Sequence, residues 1–288
     1  MTASEKYTEL KSRLSAVLGA GEGEAAARIL MEDIAGFGRT KLFADGSRSL
    51  LDFTEQKLDA VAERIEAGEP VQYAVGRARF CGMDFEVSPA VLIPRPETAG
   101  LVDLVVDRMG GRRDLEGLDA CTGSGCIAVA LARALPFSRI EAFDVSDAAL
   151  AVAEANGRRL APQVDFYKAD ALALPLNPPA RFDFIVSNPP YILPSEEATM
   201  DARVAAHEPR TALFVREDRP LEFNEALASY AVRALKDGGM LFFEINSTQG
   251  EAMRRMLTDK GFDGRSVDIL RDYKGNERYA VAVKTAKR

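Results

Sequence analysis

The sequence predicts an α/β protein: a small helical bundle, then a mostly parallel sheet with helices on both faces. Three observations carry this. Residues 1–75 place apolar side chains at helical spacing. Residues 76–95 hold short alternating apolar stretches broken by Gly82 and Pro89, which reads as a β-hairpin linker. From Pro96 to the end, 96–288, apolar runs of strand length alternate with helical stretches, the rhythm of strand–helix–strand units.

Taken in order, Glu22 to Gly36 sets Ala26, Ile29, Leu30 and Ile34 on one helical face. Leu58, Val61, Ala62 and Ile65 repeat the i, i+3, i+4, i+7 pattern, and Gly68-Glu69-Pro70 ends that helix. Phe80 to Val91 supplies the hairpin. Strands are then expected at Leu118 to Cys121, Ile140 to Val145, Val164 to Lys168, Phe182 to Ser187, Met240 to Ile245 and Tyr279 to Val283. Helices are expected at Ile127 to Leu135, Asp147 to Leu160 and Leu221 to Leu235. Such alternation argues a parallel sheet buried on both faces. There is no internal repeat or low-complexity segment.

Composition narrows the function. With 288 residues, 47% hydrophobic and 28% charged, the chain suits two folded domains with a sizeable core. No window approaches eighteen uncharged apolar residues, so no transmembrane helix is expected. Met1 to Arg13 mixes both charges and does not read as a signal peptide. Three cysteines, Cys81, Cys121 and Cys126, suit a reducing compartment, and a cytoplasmic location is expected. Cys121 and Cys126 read as buried structural thiols rather than zinc ligands. The single His207 disfavours a histidine triad or a histidine metal site, and no metal is expected. Net charge is −7, and residues 1–75 are themselves acidic, with nine Lys/Arg against thirteen Asp/Glu. This favours a protein or small-molecule substrate over one gripped by its phosphate backbone.

Asp119-Ala120-Cys121-Thr122-Gly123-Ser124-Gly125 sits where the first of these parallel strands turns into a helix. Its glycines allow a tight bend and close approach to a ligand, and the following helix offers free amides. Nineteen residues beyond Gly125, Asp144 ends the next strand, where a carboxylate can take both hydroxyls of a ribose. Asp170, with Ala171 beside it, follows the third strand and can accept from an adenine amino group. Gly123-x-Gly125-x-x-Ala128 also satisfies a dinucleotide fingerprint, so on these residues alone an NAD enzyme stays open, as does a turn that binds nothing. Three successive strand ends nevertheless outline an adenosine.

Asn188-Pro189-Pro190-Tyr191 begins where the Phe182 to Ser187 strand ends. The prolines stiffen the loop and lack backbone donors. An amide nitrogen is a poor nucleophile because its lone pair is delocalised. If the Asn188 side-chain oxygen and the Pro189 carbonyl each accept one of its N–H bonds, the nitrogen is held and its lone pair can aim at a sulfonium methyl. Tyr191 can stack on the planar acceptor. The bland alternative is a proline-stiffened turn with an ordinary aromatic. An NAD enzyme has no use for this loop.

Over nearly its whole length the chain resembles the HemK/PrmC family of release-factor glutamine methyltransferases. The resemblance rests on Gly68-Glu69-Pro70 with Tyr73 and Gly76, Ile93-Pro94-Arg95-Pro96-Glu97-Thr98, Asp119 through Gly125, Asp144, Asp170, Asn188 through Tyr191, Glu208-Pro209 with Ala212-Leu213-Phe214, and Asp272 with Asn276 and Arg278. It implies a Rossmann-like, seven-stranded S-adenosylmethionine-dependent methyltransferase domain behind a helical domain that contacts the release factor. The implied acceptor is the glutamine of the release factor's Gly-Gly-Gln loop, and the products include S-adenosylhomocysteine. Cofactor contacts fall on Asp119, Cys121, Thr122, Gly123, Ser124, Gly125, Asp144, Asp170, Ala171 and Asn188. Substrate contacts fall on Asn188, Pro189, Pro190 and Tyr191, of which Asn188, Pro189 and Tyr191 are the catalytic set. A monomer without direct nucleic-acid or membrane binding is expected. Ribosomal-protein glutamine methyltransferases look similar, and DNA adenine methyltransferases share the Asn-Pro-Pro-Tyr segment. Arg95, Glu97 and Thr98 read equally as a cofactor edge or as a hairpin-to-helix connection capped by Glu97. Glu208 and Arg210 read as a surface ion pair. Ala99, Asn246 and the Val215 to Pro220 loop depart from the family pattern.

Overall fold

The computed structural model describes residues 1–286; Lys287 and Arg288, the end of the expected 96–288 domain, lie outside the described residues. The chain divides into two compact units, Met1–Arg77 with Asp201–His207, and Ala78–Met200 with Glu208–Arg288.

The first unit is helical: α1 (Ala3–Leu18), α2 (Ala20–Asp33), α3 (Arg39–Asp45), α4 (Asp52–Glu66) and α5 (Val71–Val75). Thr2 opens α1 with a capping box, its hydroxyl accepting from Glu5 N while Glu5 accepts from Thr2 N. Ala26 and Leu30, and Leu58 and Ile65, meet in one core on the faces the spacing indicates, joined there by Leu10, Leu14 and Ala27. Lys6 is buried, and its ammonium donates to Asp59 at 2.6 Å and Glu9 at 3.1 Å, tying α1 to α4. Gly23 marks the closest approach of α1 and α2: a Cβ there would lie 2.3 Å from Ser15 N, against backbone that cannot swing aside. Gly21 has nothing within 4 Å of its added Cβ. Gly23→Ala should therefore cost about 1–3 kcal/mol, whereas Gly21→Ala should be neutral or stabilise by up to about 1 kcal/mol. Urea unfolding of the two variants checks this; equal effects would contradict the close approach.

A two-stranded hairpin follows, β1 (Arg77–Phe80) and β2 (Met83–Glu86), which from Ala78 on belongs to the second unit. Its turn residues Cys81 and Gly82 both have positive φ, the primed turn that suits strand twist. The hairpin is not a separate linker, as the sequence suggested. Phe80 and Phe85 pack into a core of this unit, and Asn156 grips Glu86 through both its backbone groups.

There follow α6 (Pro96–Met109), β3 (Glu116–Ala120), α7 (Cys126–Ala134), β4 (Arg139–Asp144), α8 (Asp147–Leu160), β5 (Asp165–Lys168) and β6 (Phe182–Ser187). Next come α9 (Ala202–His207, part of the first unit), α10 (Arg210–Leu213), α11 (Glu222–Ala234), β7 (Leu235–Glu244), α12 (Gly250–Asp259), β8 (Val267–Arg271) and β9 (Glu277–Val283). The seven-stranded sheet runs β5-β4-β3-β6-β7-β9-β8, parallel except for β9, which is antiparallel to both neighbours.

Side chains alternate across it. Phe184, Val186, Phe242 and Val281 join α6 and α7 on one face, while Ile185, Leu241, Phe243 and Ala280 join α11 and α12 on the other. That is why the middle of β6, residues 184–186, reads as a continuous apolar run. Strand order reverses between β3 and β6, opening a crevice at their carboxyl ends, where open α/β sheets bind ligands. Among the described residues, no helix is long and apolar enough to cross a membrane.

Candidate active site

The crevice opens into a cavity of about 620 Å³ within the second unit. The sequence-predicted residues Cys121, Thr122, Gly123, Ser124, Asp144, Asp170, Ala171, Asn188 and Pro190 line it; Asp119, Gly125, Pro189 and Tyr191 do not.

The glycine turn is held from beneath. Cys121, Gly123 and Gly125 all have positive φ, so the chain coils back on itself between β3 and α7. At Gly125 a Cβ would come 3.2 Å from both Ala153 and the Phe166 ring. Asp119 is fully buried under the turn, where it accepts from the Thr122 hydroxyl at 2.6 Å and Ala128 N at 3.1 Å. It braces the turn rather than reaching the cavity, which corrects its expected place among the lining residues. Asn156, also fully buried, donates to Ser124 O at 2.9 Å and so ties the turn to α8. Sequence reasoning missed Asn156; its one signal is an amide inside an otherwise regular helix.

Burial raises the Asp119 carboxyl to about 7, and the Asp144 charge adds to this against the two hydrogen bonds. The folded value lies above the ordinary 3.8. Folding therefore takes up a proton between those values, and stability falls as pH rises through that window, then levels off. Asp119→Asn removes the titration. The stability gap between wild type and variant should move in the variant's favour by on the order of 2 kcal/mol as pH rises from about 5 to about 7. Urea titrations at the two pH values check this, and a constant gap would contradict it.

Asp144 presents its carboxylate at the end of β4, accepting from Gly123 N at 2.9 Å and Ser146 N at 3.0 Å. Asp170 accepts from Leu172 N at 2.8 Å, shaping the short turn after β5. Each carboxylate keeps lone pairs for a ligand. Val145, Leu172 and Phe223 add apolar walls suited to a flat ring. Cys126 is buried, Cys121 is half-buried on the cavity wall, and Cys81 is exposed at the hairpin turn. Burial pushes both Cys121 and Cys126 up, Cys126 to about 12, so neither is a thiolate nucleophile.

Asn188 follows the last residue of β6. Its Nδ2 donates to Thr98 Oγ1 at 3.2 Å, and Thr98 Oγ1 donates to Glu244 Oε2 at 2.8 Å. Tyr191 donates its hydroxyl to Glu244 Oε1 at 3.0 Å, so the ring is anchored beside the cavity rather than on its wall, where stacking was expected. Burial raises the Glu244 carboxyl, and the two hydroxyl donors and the Arg278 charge oppose that shift. Glu244 was not singled out from sequence; a lone carboxylate closing an apolar strand was its signal.

The Ile93 to Thr98 run is fixed by Glu208, which is buried and accepts from Ile93 N at 3.1 Å and from the Arg95 guanidinium. Arg210 pairs instead with Glu197, which corrects the expected Glu208–Arg210 surface pair. Arg95, not Glu97, is the N-cap residue of α6, and its side chain makes no capping bond; Glu97 lies in the first turn, and its carboxylate accepts from Lys274 at 2.6 Å. Asp272 shapes the β8–β9 turn through Lys274 N and Asn276 N and receives Arg278 Nε at 3.3 Å. Asn246 donates to Tyr191 O at 3.3 Å and Glu196 Oε2 at 3.0 Å, securing the chain just beyond the prolines. Among the described residues, no group of three or more His, Cys, Asp or Glu could hold a metal ion.

Residues 6–76 match the PrmC N-terminal domain family and residues 118–208 a methyltransferase domain family. The release factor glutamine methyltransferase of Bacteroides thetaiotaomicron is 38% identical over 261 residues, spanning 91% of this chain and 92% of that protein. The enzyme of the same name from Bacillus subtilis is 35% identical over 281 residues, spanning 96% and 97%. The hMettl16 catalytic domain, solved with a MAT2A 3′UTR hairpin, superposes with a TM-score of 0.57 at 17% identity, covering 84% of this chain and 86% of that one, and shares the fold. With a glycine turn, two strand-end carboxylates and an Asn-Pro-Pro-Tyr segment around one cavity, and relatives matched end to end, the chain belongs to the release factor glutamine methyltransferase family and is a protein-glutamine methyltransferase.

Proposed function

We propose that this chain transfers a methyl group from S-adenosylmethionine to the side-chain amide nitrogen of the glutamine in the Gly-Gly-Gln motif of peptide chain release factors, leaving S-adenosylhomocysteine. The observation that carries the reading is the position of the Asn188-Pro189-Pro190-Tyr191 segment at a strand end, with Asn188 and Pro190 on the same cavity wall as Asp144 and Asp170.

The residues present fit the donor. The cavity is of small-molecule size, Asp144 offers acceptors for two ribose hydroxyls, and Asp170 with Leu172 and Phe223 suits a purine bearing an amino group. The donor supplies an electrophilic methyl on a positively charged sulfur. Everything else falls to the protein. Among the described residues, the Asn188 side-chain oxygen and the Pro189 carbonyl accept no hydrogen bond, leaving two acceptors for the two N–H bonds of the substrate amide. Holding both steers the nitrogen lone pair out of conjugation and fixes its direction. The nitrogen forms the new bond to carbon as the carbon–sulfur bond breaks, and the extra proton on nitrogen leaves to water. Lacking backbone N–H groups, Pro189 and Pro190 keep competing donors away from these acceptors.

The acidic helical unit contacts the release factor in this reading, and the reaction takes place in the cytoplasm, where release factors work. The test is a transfer assay with labelled donor in which a release factor, a ribosomal protein and a DNA oligonucleotide compete. Label should pass to the release factor; label on the oligonucleotide or the ribosomal protein alone would replace the proposed acceptor.

A further inference from the structure

Asn188 can receive a substrate N–H only through its side-chain oxygen. The two ends of a side-chain amide are nearly the same size, so packing does not choose between them; hydrogen bonding must. Thr98 makes the choice. Its hydroxyl has one proton, and Glu244 Oε2 lies 2.8 Å away as an acceptor. Glu244 accepts from the Tyr191 hydroxyl on its other oxygen at 3.0 Å, so each carboxylate oxygen faces one hydroxyl donor and is the stronger acceptor within reach of the Thr98 proton. The Thr98 proton therefore points at Glu244, and only the lone pairs of Oγ1 face Asn188. Asn188 meets them with Nδ2 at 3.2 Å. The reverse orientation would set two oxygens against each other with no proton between them.

We propose that Thr98 and Glu244 are positioning residues that fix the orientation of the Asn188 amide, turning Oδ1 toward the acceptor nitrogen. The assignment rests on the reading of Asn188 as a substrate-holding residue. Glu244 does not line the cavity and acts through Thr98, at the start of α6, and through Tyr191. One carboxylate at the end of β7 thus secures both ends of the Asn188 to Tyr191 segment, which follows the neighbouring strand β6.

Thr98→Val keeps the shape of the side chain and removes the hydroxyl. At saturating donor and release factor its kcat should fall about tenfold to a hundredfold, with donor Kd by calorimetry unchanged within about twofold. Thr98→Ser should restore kcat to within about threefold of wild type. In an Asn188→Ala background, Thr98→Val should cost nothing further, because the residue it positions is gone. Wild-type kcat in Thr98→Val, or an equal loss in both backgrounds, would overturn the proposal. If the wild-type protein transfers no methyl to a release factor, it is the substrate reading that fails. The orientation is then read in asparagine-labelled protein by NMR: Thr98→Val should move the Asn188 side-chain amide protons upfield, and unmoved signals would overturn it.

Discussion

Asn188→Ala should lower kcat by about a hundredfold to a thousandfold while donor Kd changes by no more than about threefold. The asymmetry follows from where Asn188 sits. Its Oδ1 is one of two free acceptors at the end of β6, and the truncation leaves the Pro189 carbonyl to hold the substrate amide alone. One hydrogen bond fixes a nitrogen in space but does not orient its lone pair, so the loss falls on the transition state rather than on binding. Asn188 also lines the cavity, which accounts for the small allowance in donor affinity. Stopped-flow single-turnover rates and calorimetric donor binding separate the two. A variant that loses donor affinity and turnover by the same factor would place Asn188 in the donor site only.

Asp144→Ala should do the reverse, weakening donor binding by about a hundredfold while kcat at saturating donor stays within a few-fold of wild type. Two hydrogen bonds from ribose hydroxyls to an ionised carboxylate contribute about 1.5–3 kcal/mol each, and 3 kcal/mol corresponds to roughly a hundredfold in Kd. The same side chain accepts from Gly123 N and Ser146 N, so its removal also loosens the glycine turn. Asp144→Asn is the informative companion. It keeps the shape but loses the charge and one acceptor, and should fall between wild type and Ala. Calorimetric titration decides the order, and wild-type affinity in the Ala variant would remove Asp144 from the donor site.

Much of this was legible in the chain itself. The central strand β6 and helices α7, α8 and α11 announced themselves because a strand buried on both faces leaves a continuous apolar stretch between helical patterns, as at residues 184–186 and Asp147–Leu160. β8 and α12 did not. β8 is an edge strand whose Asp268 and Arg271 are exposed, and α12 is a short helix opening on a glycine. The hairpin was visible from its turn, but its attachment through Asn156 was not, because a contact seventy residues distant leaves no local pattern.

The site divides in the same way. Residues on the cavity wall follow from strand ends and glycines, which are local features. Of the supports behind them, Asp119 holds Thr122 and Ala128, its near neighbours in sequence, whereas Glu244 behind Asn188 acts through the contact from Thr98, 146 residues apart. Tyr191 shows the limit most plainly. An aromatic beside the prolines suggested a stacking surface, but nothing local showed that its hydroxyl is held by Glu244, 53 residues away.

The central claim is methyl transfer to a glutamine amide in a release factor. It is tested most directly by incubating a release factor with this protein and S-adenosylmethionine, then sequencing the Gly-Gly-Gln peptide by tandem mass spectrometry. The expected result is a mass gain of one methyl group, localised to the glutamine side chain and strongly reduced at equal incubation time with Asn188→Ala. An unmodified glutamine in that peptide, with wild-type protein that binds the donor, would contradict it.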